Sequence, residues 1–339
     1  MRLARIIVYI IPLLLSGFPA LLAAAEDPLD IYLSLRFKGD YAQAESVLRE
    51  ALRVTGDIPD KAPLLNELAE LLREQDRGSE ARSYFQAALN VKNVSWQARL
   101  GAIMGLADID REEQAWQEST SQWNEAIRVA QAHANTVYES FAIRGLGETW
   151  LNRGDMSRAE PLLRRSLALV ENTPGVPEYR LGLALDTLAT LYRLQGKTGL
   201  AEELWMRELQ IDRKMFGDNH PQTALVMGHL AEAWSWDGDT EGARDYSRQV
   251  TSIMESHFNG HSPAVASALV NEAVVEQRAN CLEVAAGLYA RAFGIVKSTR
   301  PSSPVSDTVA RLYAGVLSQL HRDREAKQIL AEASALHAK

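Results

Sequence analysis

The chain has 339 residues, of which 46% are hydrophobic, so it is long enough for two ordinary domains and apolar enough to bury a core. Its 36 basic and 44 acidic residues give a net charge of −8, with the two signs interspersed along the sequence. This composition excludes a disordered chain and argues against a nucleic-acid partner, which would require a basic face.

Residues 1–25 have the layout of a secretory signal peptide. Arg2 and Arg5 precede an apolar run from Ile6 to Leu22, and three alanines follow it. Proline and glycine interrupt the run, which favours cleavage over the alternative, an uncleaved helix that anchors the chain in a membrane. We expect an exported protein, periplasmic or secreted, that has no stable membrane insertion once this segment is removed.

Residues 26–136 are predicted to hold divergent helical repeats. From residue 26 onward, apolar residues recur at spacings of three and four, which predicts helices. Small residues mark three hairpins in this segment: Gly39 with Ala44 and Ala51, Ala69 with Ala81 and Ala88, and Ala107 with Ala126. We expect Asp108 and Asp110 to interrupt the register of the third hairpin, because charged side chains usually face solvent.

Residues 137–297 contain a period of 42 residues. Gly154, Gly196 and Gly238 follow one another at this step, and the next step reaches Asn280. Glycine and asparagine both accept the left-handed backbone that a tight turn needs. Small residues lie seven positions before and five positions after each of these turns: Gly147, Ala189, Ala231 and Ala273 before, and Ala159, Ala201, Ala243 and Ala285 after. Because small side chains let antiparallel helices approach closely, the period predicts helical hairpins.

Large side chains recur within the same period. Trp150, Tyr192 and Trp234 lie three residues after the first small position, while Trp205 and Tyr289 lie four after the second. Aromatic residues at helical spacing usually form a core rather than a ligand-binding site. We therefore predict that these side chains are buried between helices.

Residues 298–339 are predicted to form a last hairpin, marked by Ala314, Ala326 and Ala333, with a solvated capping helix from Asp323 to Leu336. The whole pattern predicts an all-α fold, a right-handed superhelical solenoid of about eight helix-turn-helix hairpins. Such a solenoid presents a long concave face lined by the first helix of each hairpin, which suits an extended peptide or a partner's helix.

The segments at residues 188–197 and 201–205 resemble a tetratricopeptide repeat, in the 42-residue form found in kinesin light chains. The stretch at residues 216–224 is similar to the sequence between repeats in that form, and residues 260–266 repeat it one period later. The resemblance is closest over residues 137–297. The sequence departs from the family at Glu272, Glu276 and Ser247, where the family has apolar or aromatic residues, so we expect a distorted seventh hairpin.

The resemblance implies that a protein or peptide partner binds first-helix residues that point away from the second helix. In this sequence these positions are Arg144, Glu148, Asp186, Thr190, Arg193, Glu232, Trp236, Asn271 and Arg278. Trp236 is the large apolar residue among them, and the alternatives for it are an exposed anchor or packing under the following turn. The family's peptide-clamping asparagine is kept at Asn271, whereas Thr187 and His229 occupy the equivalent positions in the two preceding hairpins.

The search for catalytic patterns yields one weak candidate. His257 and His261 are four residues apart, but a pair of histidines without a third ligand does not make a metal site. Cys281, the single cysteine, is predicted to be a buried small residue rather than a nucleophile. We therefore predict a non-catalytic binding scaffold of the cell envelope or secreted space, with no metal and no cofactor. The alternatives are a metal-dependent hydrolase and an envelope solute or glycan receptor that uses Trp236.

Overall fold

The computed structural model describes residues 28–37, 40–55, 61–258, 260, 262–299 and 304–336. The predicted signal peptide, Gly39 and His261 lie outside the described residues. The described residues form sixteen helices: α1 (Pro28–Phe37), α2 (Tyr41–Thr55), α3 (Lys61–Glu74), α4 (Gly78–Leu89), α5 (Trp96–Glu112), α6 (Trp116–Ala132), α7 (Thr136–Arg153), α8 (Met156–Glu171), α9 (Glu178–Leu194), α10 (Thr198–Phe216), α11 (Pro221–Asp237), α12 (Thr240–His257), α13 (Pro263–Arg278), α14 (Leu282–Thr299), α15 (Pro304–Gln319) and α16 (Asp323–Leu336).

The helices pair in chain order, so each odd-numbered helix forms a hairpin with the even-numbered helix after it. The chain divides into two compact units between Val176 and Pro177. The N-terminal unit contains the four hairpins from α1 to α8, and the C-terminal unit contains the four from α9 to α16. The predicted all-α fold of about eight hairpins is confirmed. The predicted boundaries after residues 136 and 297 stay predictions.

The turns within the hairpins depend on the residues that the period picked out. Gly154, Gly196 and Gly238 have φ angles of 91°, 72° and 91°, and Asn280 follows with 58°. This left-handed backbone costs an ordinary side chain energy, which explains the glycine or asparagine at these positions. The side chain of Asp155 caps α8 by accepting a hydrogen bond from the Arg158 amide at 3.1 Å, and Asp239 caps α12 in the same way.

Small residues lie where the two helices of a hairpin touch. A Cβ atom added to Gly147 would lie 2.6 Å from Leu163 Cδ2, so α7 and α8 are too close for any larger residue. Ala201 and Ala243 are fully buried on the second helices of their hairpins. The cores of both units therefore lie between paired helices, and between each hairpin and the next within the unit.

Four expectations about individual positions are wrong. The third hairpin is regular, because Asp108 and Asp110 are buried and paired with arginines instead of facing solvent. Both helices of the seventh hairpin are continuous. Trp150 and Trp234 are half-buried rather than core residues, and Cys281 is half-buried as well.

The seventh hairpin accommodates its acidic residues through ion pairs. Glu276 is fully buried, and its carboxylate lies 3.0 Å from Arg244 Nε and 2.9 Å from Arg248 Nη2. The two guanidinium groups reach Glu276 from α12, the second helix of the preceding hairpin. A buried carboxylate with two charge-assisted partners replaces the apolar contact that the family has there. None of the described helices is long and apolar enough to cross a membrane.

Candidate functional site

The predicted partner-binding residues of the N-terminal unit are occupied by an internal ion pair. Arg144 and Glu148, on α7, have only 7% and 8% of their surface exposed, and they pair with each other. Arg111 Nη2 on α5 lies 3.8 Å from the second Glu148 carboxylate oxygen. Breaking such a buried pair would leave an uncompensated charge, so a partner could use these side chains only at a high energetic cost.

The contact between Arg111 and Glu148 belongs to a series of ion pairs that joins the first helices of successive hairpins in the N-terminal unit. Arg36 of α1 pairs with Glu74 of α3, and Arg73 Nη1 of α3 lies 2.8 Å from Glu112 of α5. The contact between α5 and α7 completes what we call the ion-pair series: Arg36–Glu74, Arg73–Glu112 and Arg111–Glu148. Sequence reasoning missed it, although the three arginines follow one another at steps of 37 and 38 residues.

In the C-terminal unit the corresponding contacts between first helices begin with an ion pair and end with a hydrogen bond between uncharged side chains. Arg193 of α9 lies 3.3 Å from Glu232 of α11, which is an ion pair of the same kind. At the next contact Arg278 of α13 donates to the Ser235 hydroxyl at 3.3 Å. Between α13 and α15, two glutamine side chains form the contact. The first helices of this unit are thus held together with less charge than those of the N-terminal unit.

Trp236 is the most prominent apolar residue on this part of the surface. It is 62% exposed, which excludes the alternative that it packs under the following turn. The Arg278 guanidinium lies over one face of its ring, with Cζ 3.1 Å from the ring centroid. Burial lowers the pKa of Arg278, and among the described residues no carboxylate lies within ion-pair distance of it. The pair therefore offers an open indole face beside an unmatched positive charge.

Other residues of the predicted binding surface in the C-terminal unit are accessible to different degrees. Asn271 is exposed and Thr190 is half-buried. A Cβ atom added to Gly228 of α11 would meet no other atom within 4 Å, so the surface there has room for a ligand side chain. The hydroxyl of Thr187, at one of the replaced clamp positions, donates to the Leu183 carbonyl 2.9 Å away within its own helix.

Asp186 connects this surface to the second helix of its hairpin. Its Oδ1 accepts a hydrogen bond from Trp205 Nε1 at 3.0 Å, and His229 Nδ1 lies 3.1 Å from the same oxygen. Burial opposes a charge on His229, but the Asp186 carboxylate outweighs this effect and raises the pKa of the imidazole. Asp186 and His229 keep 34% and 29% of their side-chain surface exposed, so both remain within reach of a partner.

The candidate metal ligands do not form a site among the residues that the structure describes. His257 lies with its ring centroid 6.2 Å from that of His220, which stacks on Phe216. His220 Nδ1 accepts a hydrogen bond from the Gln222 amide and so caps α11. The described residues contain no group of three histidine, cysteine, aspartate or glutamate side chains that could hold a metal ion.

Comparison with known proteins agrees with the geometry. Residues 180–256 match the tetratricopeptide repeat family. Tetratricopeptide repeat protein 19, mitochondrial, of Homo sapiens is 23% identical over 232 residues, which cover 63% of this chain and 58% of that protein. The match therefore spans less than two thirds of the relative's length.

Solved structures share the fold at low sequence identity. Kinesin light chain repeats from Podosopora anserina superpose with a TM-score of 0.51 and 18% identity, covering 61% of this chain and 99% of theirs. A signal transduction ATPase with a tetratricopeptide repeat sensor, from Pyrococcus horikoshii, superposes with a TM-score of 0.62 and 16% identity over 92% of this chain and 47% of its own. The predicted resemblance to tetratricopeptide repeats of the kinesin-light-chain form is confirmed.

Proposed function

We propose that this protein is a non-catalytic scaffold that binds an extended peptide segment of a partner protein on its C-terminal unit. The surface involved is the C-terminal face, which we define as Asp186, Thr190, Arg193, Glu232, Trp236, Asn271 and Arg278. The exposed ring of Trp236 carries the proposal, because a solvent-exposed tryptophan on a rigid helix gains much contact area when a partner covers it.

The chemistry of the C-terminal face favours a peptide over a small molecule. Trp236 and Arg278 supply the residue types that dominate protein interfaces, and Asn271 supplies an exposed amide for the peptide backbone. Gly228 of α11, the helix that carries Trp236, leaves open space for a ligand side chain. Arg144 and Glu148 do not belong to the proposed surface, because their charges are already paired and buried.

The fold supports this proposal at a general level. Tetratricopeptide hairpins present one helix of each pair on a continuous surface, and the similar protein from Pyrococcus horikoshii is described as carrying such repeats as a sensor. A binding role needs no catalytic residues, which agrees with a face made of an aromatic ring, an amide and ion pairs.

The test is selection of a random twelve-residue phage-displayed peptide library on the immobilised full-length chain, followed by titration of synthetic copies of the selected peptides. We expect specific binders that lose at least tenfold in affinity against Trp236→Ala. The matched control is Trp116→Ala, which removes a half-buried tryptophan from α6 in the N-terminal unit and should leave the affinity unchanged. Binders equally sensitive to both substitutions, or no binders at all, would contradict the proposal.

We propose further that the protein works outside the cytoplasm, on the strength of the basic start and apolar run of residues 1–25. A fusion of the full chain to alkaline phosphatase, which is active only after export, should show activity in bacterial cells. The same fusion without residues 1–25 should be inactive. Equal activity of the two fusions would contradict export through this segment.

A further inference from the structure

Three carboxyl groups meet inside the first hairpin of the C-terminal unit. Asp186 is on α9, and Glu208 and Asp212 are one turn apart on α10, with 8% and 5% of their surface exposed. Gly182 of α9 makes room for them, because a Cβ atom at this position would lie 3.7 Å from Glu208 Cγ and 3.8 Å from Asp212 Oδ1.

The two α10 carboxyl groups have no positive partner. Among the described residues, no lysine, arginine or histidine lies within ion-pair distance of Glu208 or Asp212, and Glu208 Oε2 is buried without a hydrogen-bond partner. Burying a polar group in this way is costly. The same unit shows the usual solution at Glu276, where two arginines surround one buried carboxylate. Glu208 is therefore an exception to how this chain treats its buried acids.

Asp186 provides a connection from these buried groups to the C-terminal face. Its carboxylate is 34% exposed and is held in place by Trp205 of α10, while His229 of α11 flanks it. Gly228, the residue before His229, leaves open space on the same helix. A flexible cationic side chain that reaches the exposed Asp186 carboxylate would come within electrostatic range of Glu208 and Asp212, since Asp186 influences both.

The pKa shifts of Glu208 and Asp212 are those expected of buried carboxyl groups that lack a cationic partner. Burial raises the pKa of Glu208 well above its ordinary value and that of Asp212 to about 7, and the negative charge of Asp186 adds to both effects. The other charged groups nearby are His229 and Glu232 of α11 and Arg193 of α9, and the last two pair with each other. In the absence of a cation, the buried carboxyl groups hold protons that a cation would displace.

We propose that Asp186, Glu208 and Asp212 form a subsite for an organic cation, the ammonium or guanidinium group of a lysine or arginine side chain in the bound peptide. The described carboxyl groups are not arranged to hold a metal ion, whereas the unsatisfied Glu208 Oε2 matches a group that brings its own hydrogen-bond donors. This inference rests on the proposed peptide-binding function and adds to it the charge of one residue of the bound peptide.

The first experiment uses the peptides selected on the full-length chain. We expect them to share a lysine or arginine, and replacement of that residue by norleucine or citrulline should weaken binding at least tenfold. Glu208→Gln in the protein should have a similar effect. The matched control, Glu203→Gln, removes an exposed carboxylate from the same helix and should not change the affinity.

The second experiment distinguishes a binding role of Glu208 from a purely structural one. Calorimetric titration of the peptide at pH 7, in buffers of different ionisation enthalpy, should show protons released by the wild-type chain and fewer released by Glu208→Gln. Thermal melting should show that this variant still folds, since glutamine has the shape of the protonated acid.

The outcomes separate the two proposals. Peptides that depend on Trp236 but tolerate norleucine, and that bind without proton release, would overturn the cation subsite and leave the peptide-binding function intact. A library that yields no binder would overturn both. Basic peptides that bind equally well to Glu208→Gln would also overturn the subsite, because their charge would then be recognised elsewhere.

Discussion

The two units connect their successive first helices in different ways. In the N-terminal unit each contact of the ion-pair series joins an arginine to an acid, and Arg111 and Glu148 within it are almost fully buried. In the C-terminal unit the first contact between first helices is the ion pair of Arg193 and Glu232. The next two are hydrogen bonds, one that a serine hydroxyl accepts and one between two glutamine amides. Where the charges of one unit are paired internally, the other has side chains available for a partner.

Buried acids of the N-terminal unit and of the fifth hairpin differ in a similar way, whereas Glu276 in the seventh hairpin is paired like the acids of the N-terminal unit. In the N-terminal unit Asp110 lies 2.6 Å from Arg82, and Asp108 pairs with Arg111. In the fifth hairpin Glu208 and Asp212 have no such partner among the described residues. Paired charges fix the packing of helices, whereas unpaired ones are a cost that folding does not require. The two units therefore share a scaffold, but the fifth hairpin contains buried acids that do not stabilise helix packing through ion pairs.

The stabilising role of the buried ion pairs in the N-terminal unit can be tested at Arg111. Replacement Arg111→Met leaves the buried Asp108 without its ion-pair partner, whereas Glu148 keeps Arg144, and we expect a loss of about 3 kcal/mol in the free energy of unfolding. Urea unfolding followed by circular dichroism measures this loss. The control Arg53→Met removes an exposed ion pair with Glu50 and should leave the unfolding curve unchanged. An equally small effect at both sites would mean that the ion-pair series does not hold the unit together.

Close packing around the buried alanines of the second helices, in contrast, should matter equally for the stability of both units. Ala81 of α4 and Ala201 of α10 are both fully buried on second helices. We expect Ala81→Trp and Ala201→Trp each to cost about 3 kcal/mol by overpacking, measured as a lowered urea midpoint. Glu203→Trp, two residues from Ala201 but exposed, should be tolerated. Tolerance of tryptophan at either alanine would show that the repeat register assigned to that unit is wrong.

The repeat register could be predicted because packing prescribes it. The 42-residue step correctly located the turns at Gly154, Gly196, Gly238 and Asn280, since each requires a left-handed backbone that few residues adopt. Closely packed alanines such as Ala201 were predictable for a similar reason. The period reflects two constraints, the backbone conformation of the turns and the small volume available where helices touch. Each constraint limits the residue type at a single position, so it can be recognised from the sequence.

The charged residues could not be predicted in the same way. The sequence predicts Asp108 at the surface, but it is buried beside the arginine one turn later on the same helix, and burial raises its pKa to about 7. Arg144 and Glu148, which the resemblance predicts on a binding face, form an ion pair with each other. Glu208 was missed because it lies on a second helix, opposite a glycine whose effect depends on the contact between α9 and α10. The contacts of the ion-pair series join residues about forty positions apart, and the local pairs are buried only because neighbouring helices pack over them, which local patterns do not reveal.

The unpaired acids predict a dependence of stability on pH. Because Asp212 has a pKa of about 7 in the folded protein, the folded state binds more protons than the unfolded chain between about pH 4 and pH 7. Stability should therefore fall as the pH rises through that range, by on the order of 2 kcal/mol for this group. Asp212→Asn should reduce the slope of urea-unfolding stability between pH 5 and pH 8, while the buried Asp108, whose pKa is also raised to about 7, should retain part of that slope. The exposed substitution Asp245→Asn should retain the wild-type slope, and a flattened profile in both variants would place the dependence elsewhere.

The smallest effect on folding is expected at Trp236, where the proposed effect on binding is largest. Its ring is mostly exposed and contacts Arg278, so Trp236→Ala should change the free energy of unfolding by about 1 kcal/mol or less. Trp205, fully buried in the same unit, should cost about 3–5 kcal/mol when it is replaced by alanine. Urea unfolding of both variants, beside titration with a selected peptide, separates the two roles. If Trp236→Ala destabilised the fold as much as Trp205→Ala, the tryptophan would belong to the scaffold. The contrast between a unit with internally paired charges and a unit with a free surface would then no longer hold.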